Sequence, residues 1–190
     1  MVTYQISVLV GSLRAGSYAR MIANATLELF PADFHTEIVE IGHLPLYNFD
    51  YDDPESPLEL PAEYTEFRSR IAGSDGVLFV TPENNRTIPA CLKNAVDIGS
   101  KPNNDVARKG LPAGIISHSV GRMGGYSSQK NLRLALSYFD MPMLGQPEVF
   151  LGQSPTLVGP DGFTVEKTKD FVADYVARFA DLVRGEARAR

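Results

Sequence analysis

The chain has 190 residues, and 44% hydrophobic with 22% charged residues marks a folded globular protein rather than a disordered one. Lys and Arg total 18 against 23 Asp and Glu, a net charge of −5 with no basic block, which argues against a protein that neutralises nucleic-acid phosphates. The single cysteine, Cys91, excludes an internal disulfide, a CxxC pair and a cysteine-rich metal site, and fits a reducing, cytoplasmic setting.

The N-terminus enters a strand-like stretch at once and lacks a charged n-region and cleavage site, so it does not read as a signal peptide. No apolar run approaches the roughly 18 residues of a membrane span, so membrane insertion is not expected. Ile6–Val10 reads as the first strand, followed by a helix from near Ser17 with Ile22, Ala25 and Leu29 at helical spacing. Thr36–Ile41 reads as the second strand. Residues 42–61 hold Pro45, Pro54, Pro57 and Pro61 and predict a long loop. The acidic run from Asp50 to Glu66 reads as a solvated segment leading into a helix whose positive end favours Glu59 and Glu63. Tyr64, Phe67 and Ile71 mark that second helix, and Val77–Thr81 the third strand. A third helix starts near Pro89, a favoured first-turn residue. Ala113–Ser117 is the fourth strand, Leu132, Leu136 and Phe139 mark the fourth helix, and Glu148–Leu151 is the fifth strand. Residues 153–162 read as a turn-rich connection. The last helix, Glu166–Arg184, gathers Val172, Tyr175, Val176, Phe179, Leu182 and Val183 on one face. Strand–helix alternation along the chain predicts a parallel sheet with helices on both sides. No repeat or composition break divides residues 1–190, which predicts a single domain.

Chemistry concentrates in three loops expected to leave the same edge of that sheet, where open α/β sheets bind ligands. The first, Gly11-Ser12-Leu13-Arg14-Ala15-Gly16-Ser17, places hydroxyls, free amides and a guanidinium at a helix N-terminus. Donors without acceptors, combined with the helix dipole, suit a dianionic phosphate. An ordinary strand–helix turn capped by Ser17 remains the plainer alternative. The second, Thr81-Pro82-Glu83-Asn84-Asn85-Arg86-Thr87-Ile88-Pro89, is an amide-rich loop suited to a flat heterocycle; its alternative is a polar turn with Thr87 capping the helix. The third is Ser117-His118-Ser119-Val120-Gly121-Arg122-Met123-Gly124-Gly125. His118 stands at the end of the fourth strand, either as a proton donor to a bound ligand or in a hydrogen-bonded structural role. Cys91 is either a thiol activated by a helix N-terminus or a packing residue. His35 and His43 have no metal spacing, and Ser119 lacks the G-x-S-x-G context of a hydrolase.

These loops resemble the NADPH-dependent FMN reductase family, which includes bacterial quinone, chromate and azo-dye reductases. The first family block, roughly G-S-x-R-x-x-S-x-N, is matched by Gly11, Ser12, Arg14 and Ser17. The second, T-P-E-Y-N-x-S-x-P-x-x-L-K-N-A-hydrophobic-D-W, is matched by Thr81, Pro82, Glu83, Asn85, Pro89, Leu92, Lys93, Asn94, Ala95 and Asp97. The third, a G-x-x-G-G turn followed by Gln and Leu-Arg, is matched by Gly121, Gly124, Gly125, Gln129, Leu132 and Arg133. The resemblance extends through Leu44-Pro45-Leu46-Tyr47-Asn48. The chain departs at Ala19, Asn84 and Ile98, where the family commonly has Asn, Tyr and Trp.

The resemblance implies an α/β, flavodoxin-like three-layer sandwich with a five-stranded parallel sheet in the order 2-1-3-4-5. It implies FMN as cofactor, NADPH or NADH as electron donor, and a ping-pong cycle ending on a small-molecule acceptor such as a quinone. By resemblance Ser12, Arg14 and Ser17 hold the FMN phosphate, with Tyr18 beside them. Pro82, Glu83, Asn84 and Asn85 border the isoalloxazine, and Ser117 with the turn after it closes the other side. Amides after Gly121, and Arg86, are candidates to stabilise charge on the reduced flavin, although Arg86 is equally open to a solvent-facing position. Lys101 and Arg122 are candidates for the phosphates of the nicotinamide donor. The family also implies a homodimer or homotetramer. A flavodoxin-type electron carrier and a binding protein without tight FMN remain the alternative functions.

Overall fold

A computed structural model of the chain describes residues 3–102 and 106–189. The elements in chain order are β1 (Tyr4–Val10), α1 (Tyr18–Leu27), β2 (Phe34–Ile38), α2 (Ala62–Ala72), β3 (Gly76–Pro82), α3 (Ala90–Ile98) and β4 (Ala113–His118). They continue with α4 (Tyr126–Ser137), β5 (Val149–Leu151), β6 (Val158–Gly159), β7 (Gly162–Phe163) and α5 (Glu166–Ala189). Strands β1 to β5 form a five-stranded, all-parallel sheet in the order β2-β1-β3-β4-β5, as expected.

Strand alternation sorts the apolar residues between two layers. Ile6, Val8, Val10, Leu78 and Val80 turn to the face covered by α1 and α5, where they meet Ile22, Ala23, Val172, Val176 and Phe179. Leu9, Val77, Phe79 and Ile115 turn to the other face, against Phe67 and Ile71 of α2, Leu92 and Val96 of α3, and Leu132 and Leu136 of α4. Burial on both faces explains why β1, β3 and β4 read as continuous apolar runs. The three-residue strand β5 pairs only with Ile116–His118. Below it the buried Ile115 amide donates to the Tyr175 hydroxyl of α5 at 2.6 Å. Burial lifts the Tyr175 pKa to about 12, outweighing the opposite pull of that bond, which by itself favours the phenolate.

The structure corrects four expectations. The second strand occupies Phe34–Ile38 rather than Thr36–Ile41. Val39 and Ile41 are apolar because they are buried against the α2 layer, not because they lie in a strand. The fifth strand begins one residue after Glu148, whose carboxylate instead reaches Lys130 at 2.5 Å and Arg133 at 3.2 Å. The connection at 153–162 contains a 3-10 turn at Ser154–Thr156 and the antiparallel hairpin β6–β7. Finally, the acidic loop is not wholly solvated. It contains a 3-10 turn, Phe49–Tyr51, and Asp52 just after it forms a buried two-point bridge to Arg68 of α2, both bonds at 2.7 Å. Arg68 Nε also donates to the Ile98 carbonyl at 2.9 Å, so one guanidinium ties the loop to two helices.

Candidate active site at the carboxyl edge of the sheet

Because β1, β3 and β4 are adjacent and parallel, the loops that follow them leave one edge side by side, at the point where the strand order reverses. The first loop ends in Ser17, the N-cap of α1, whose hydroxyl accepts from the Arg20 amide at 3.3 Å. Among the described residues, the amides of Ser12, Leu13, Tyr18 and Ala19 donate to no protein acceptor. The exposed Arg14 guanidinium bends back over this turn, donating to the Gly16 carbonyl and lying 5.8 Å from the centre of the Tyr18 ring. Ala19 is fully buried in the α1–α5 layer, so what that position offers the loop is its amide rather than a side chain.

The second loop folds back on itself. Asn84 and Thr87 exchange two backbone hydrogen bonds of 3.0 Å, with Asn85 and Arg86 between them at φ 48° and 69°. Two positive φ values in succession are those of a type I′ turn, which asparagine tolerates better than most residues. Asn85 and Arg86 therefore form an exposed tip, and the Arg86 carbonyl is held by Asn131 of α4 at 3.1 Å. Thr87 does not cap the next helix; its backbone closes the turn, and Pro89 takes the N-cap position with no side-chain bond. Glu83 Oε2 instead caps α4, accepting from the Ser127 amide at 2.9 Å and the Ser128 amide at 3.3 Å. The N-cap residue of α4 is Gly125, which has no side chain to do this, so a carboxylate from the neighbouring loop satisfies the orphan donors. Ser128 Oγ completes the seam by donating to the Pro82 carbonyl at 2.9 Å.

In the third loop Ser117 turns into the protein. It is fully buried, donates to the Gly124 carbonyl at 2.8 Å and receives Gln129 Nε2 at 3.1 Å. His118, on the opposite side of the strand, is 5% exposed, with Nδ1 3.0 Å from Ser154 Oγ and Nε2 buried without a protein partner. Burial pushes its pKa down to about 4, so the ring is neutral near pH 7. The G-x-x-G-G turn is dictated by space and dihedral angle. Gly125 sits at φ 77°, and a Cβ there would stand 2.8 Å from the His118 carbonyl oxygen. The Gly121 carbonyl accepts from the Gln153 amide at 2.7 Å and from Ser119 Oγ at 2.9 Å.

The loops enclose a crevice of about 270 Å3 lined by Ser12, Arg14, Ser17, Tyr18, Pro82, Glu83, Asn84, His118, Ser119 and Val120. Of the residues singled out in the sequence, Asn85, Arg86, Ser117 and Gly121 do not line it. Lys101 follows the far end of α3, where its ammonium lies 5.0 Å from the Phe49 ring centre. Ser119 and Val120, which line it, belong to the turn after Ser117 that the resemblance sets on this side of the site. Strand alternation carries the signal for them, since a buried Ser117 hands the crevice to the residues that follow. Cys91 is half-buried and packs against the α2–α4 layer, and burial pushes its thiol pKa up, as for a packing residue. Ile98 is fully buried and serves as packing at the end of α3. Among the described residues no group of three or more His, Cys, Asp or Glu side chains has a metal-binding arrangement. The arrangement offers an anion cradle of amides and one guanidinium beside a polar wall that carries hydroxyls, an amide side chain and a neutral imidazole.

Residues 4–156 match the NADPH-dependent FMN reductase family. A quinone reductase from Pseudomonas putida is 44% identical over 181 residues, covering 95% of each chain. A 2-hydroxy-1,4-benzoquinone reductase from a Burkholderia species is 38% identical, covering 95% of this chain and 96% of its own. Among solved structures, the flavoenzyme NAD(P)H:(acceptor) oxidoreductase FerB from Paracoccus denitrificans superposes with a TM-score of 0.86 at 30% identity, over 97% of this chain and 99% of its own. A match spanning all three crevice loops, with relatives aligned along nearly the whole length, places this chain in the NADPH-dependent FMN reductase family.

Proposed function

We propose that the chain is an FMN-dependent oxidoreductase that takes reducing equivalents from NADPH or NADH and passes them to a quinone-like small-molecule acceptor. The observation that carries this reading is the crevice itself, in which an anion cradle and a polar wall from adjacent loops meet at the switch point of the sheet. The residues present fit FMN. The unpartnered amides of Ser12, Leu13, Tyr18 and Ala19 and the Arg14 guanidinium suit its phosphate. Pro82, Asn84, Ser119 and Val120 would border its ring, a wall that Glu83 steadies by capping α4. FMN bound there supplies hydride transfer between nicotinamide and acceptor, chemistry that side chains do not provide. The protein's part is to orient and to leave one face accessible. A neutral His118 adds no competing charge to the crevice.

The relatives' names supply the acceptor class, since two of them reduce quinones. The same reading has the chain working as a homodimer or homotetramer in the cytoplasm. Pairing is supported by the outer face of α4, where Leu134 is 74% and Tyr138 is 85% exposed. A reducing compartment is supported by the lone half-buried thiol of Cys91. No described helix is long and apolar enough to cross a membrane. The test is FMN uptake by the purified chain followed by NAD(P)H oxidation with a benzoquinone. Uptake with turnover is expected, and their joint absence overturns the proposal.

A further inference from the structure

The loop after β4 carries apolar side chains outward. Val120 is 69% and Met123 is 61% exposed, on either side of Arg122. The backbone holds them there. Gln153 and Ser119 both donate to the Gly121 carbonyl, and a Cβ on Gly152 would come within 2.3 Å of the Arg122 carbonyl oxygen. A Cβ on Gly124 would stand 2.7 Å from the Phe150 backbone, so the turn is seated against β5 with no room for its tip to fold inward.

The exposed apolar surface continues past the loop. Arg122 lines an open cleft of about 570 Å3 whose walls include Phe150, Val165 and Phe171, and Tyr126 lies against Phe150 with ring centres 5.5 Å apart. Val120, Met123, Tyr126, Val165 and Phe171 are five of the twelve large hydrophobic side chains exposed among the described residues, a concentration that marks an interaction surface rather than scattered exposure. The charge on this face is positive. Arg122 and Lys167 line the cleft with no acidic residue, in a chain of net charge −5. Among the described residues neither cation has a carboxylate partner; Glu166 lies 3.9 Å from Lys169, and Glu166 and Asp170 are outside the lining.

Apolar tips on a rigid loop beside unpaired cations match an anionic bilayer surface, where the tips enter the headgroup boundary and the cations meet lipid phosphates. A protein partner would need a pocket for each projecting tip, whereas lipid yields to any of them. We propose that this face docks the protein peripherally on an anionic membrane, with Val120, Met123 and Phe171 at the headgroup boundary and Arg122 and Lys167 on lipid phosphates. Val120 also lines the crevice, so docking brings the crevice mouth to the lipid, where apolar acceptors concentrate. The inference goes beyond the reductase reading and does not depend on it.

The test is co-sedimentation of the full chain with vesicles of equal parts phosphatidylglycerol and phosphatidylcholine, against vesicles of phosphatidylcholine alone. The unmodified chain is expected to bind the mixed vesicles about tenfold or more tightly, and that binding to fall as ionic strength rises. The R122Q/K167Q variant is expected to lose the preference for anionic vesicles, and M123S/F171S to bind the mixed vesicles about tenfold less tightly. The comparison of vesicles needs only the unmodified chain, so it stands whether or not the variants fold. No sedimentation with vesicles, equal binding to the two compositions, or binding that survives in both variants overturns the proposal. Tighter binding to polyglutamate than to the mixed vesicles, untouched by M123S/F171S, assigns the face to an acidic protein partner and overturns it too. Flavin uptake and turnover without vesicle binding leave the reductase reading standing and remove the docking alone.

Discussion

Arg14 and His118 face the same crevice from opposite dielectric environments. Arg14 is exposed and held only by its own loop, so its charge is available to a phosphate at little desolvation cost. Arg14→Ala is therefore expected to weaken FMN binding about tenfold or more, read by fluorescence titration, while leaving thermal stability within about 0.5 kcal/mol. His118 is the reverse case, a ring whose burial disfavours its protonated form. Its ordinary pKa of 6.5 applies in the unfolded chain, and about 4 applies in the folded one. Between those values the unfolded state binds the extra proton, so this contribution to stability is complete above pH 6.5 and is lost as pH falls toward 4. The loss amounts to about 3 kcal/mol at most. Urea unfolding across this range should show the slope in the unmodified chain and a flatter profile in His118→Gln. Matching slopes in the two proteins would contradict the assignment.

At the scale of elements, the crevice is built by one loop supporting another. The α4 N-terminus lacks a capping side chain of its own, and Glu83 supplies one from the loop after β3. Glu83→Ala is expected to cost about 1 kcal/mol of stability and to loosen FMN, whereas Glu83→Gln, which keeps a carbonyl acceptor, should retain most of both. Denaturation and FMN titration on the two variants check this, and equal behaviour of Ala and Gln would rule out the capping role. Elements differed in how far they could be read from the chain. The central strands were plain because both faces are covered, and the helices because their apolar residues recur on one side. The end of β2 was not, since Val39 and Ile41, buried under α2, extend the apolar run beyond the last strand residue, Ile38. The β6–β7 hairpin was passed over although Val158-Gly159-Pro160-Asp161-Gly162-Phe163 carries a Pro-Asp-Gly turn signal between very short strands. Within the second loop, a back-folded turn sent Asn85 and Arg86 to its tip and away from the crevice, a placement fixed by backbone pairing of Asn84 with Thr87. Ser117 lies outside the crevice lining for a related reason: the last residues of a strand still alternate, and its hydroxyl turns to the interior.

For the whole molecule, strand order matters more than any single motif. A sheet in the order β2-β1-β3-β4-β5 brings loops from distant parts of the sequence to one edge, and α1 with α5 below and α2, α3 and α4 above hold that edge rigid. The lone cysteine first excluded disulfides and thiolate metal sites; with Cys91 packed away from the crevice, oxidoreductase chemistry falls to a bound cofactor. The measurement that bears most directly on this is turnover by the purified chain after equilibration with FMN and removal of free flavin, using NADPH or NADH with a benzoquinone. The account predicts protein-retained flavin absorbance that bleaches on adding the nicotinamide donor without oxidant, returns on adding quinone, and supports repeated cycles. A chain that retains no flavin and oxidises neither donor in the presence of quinone would contradict it.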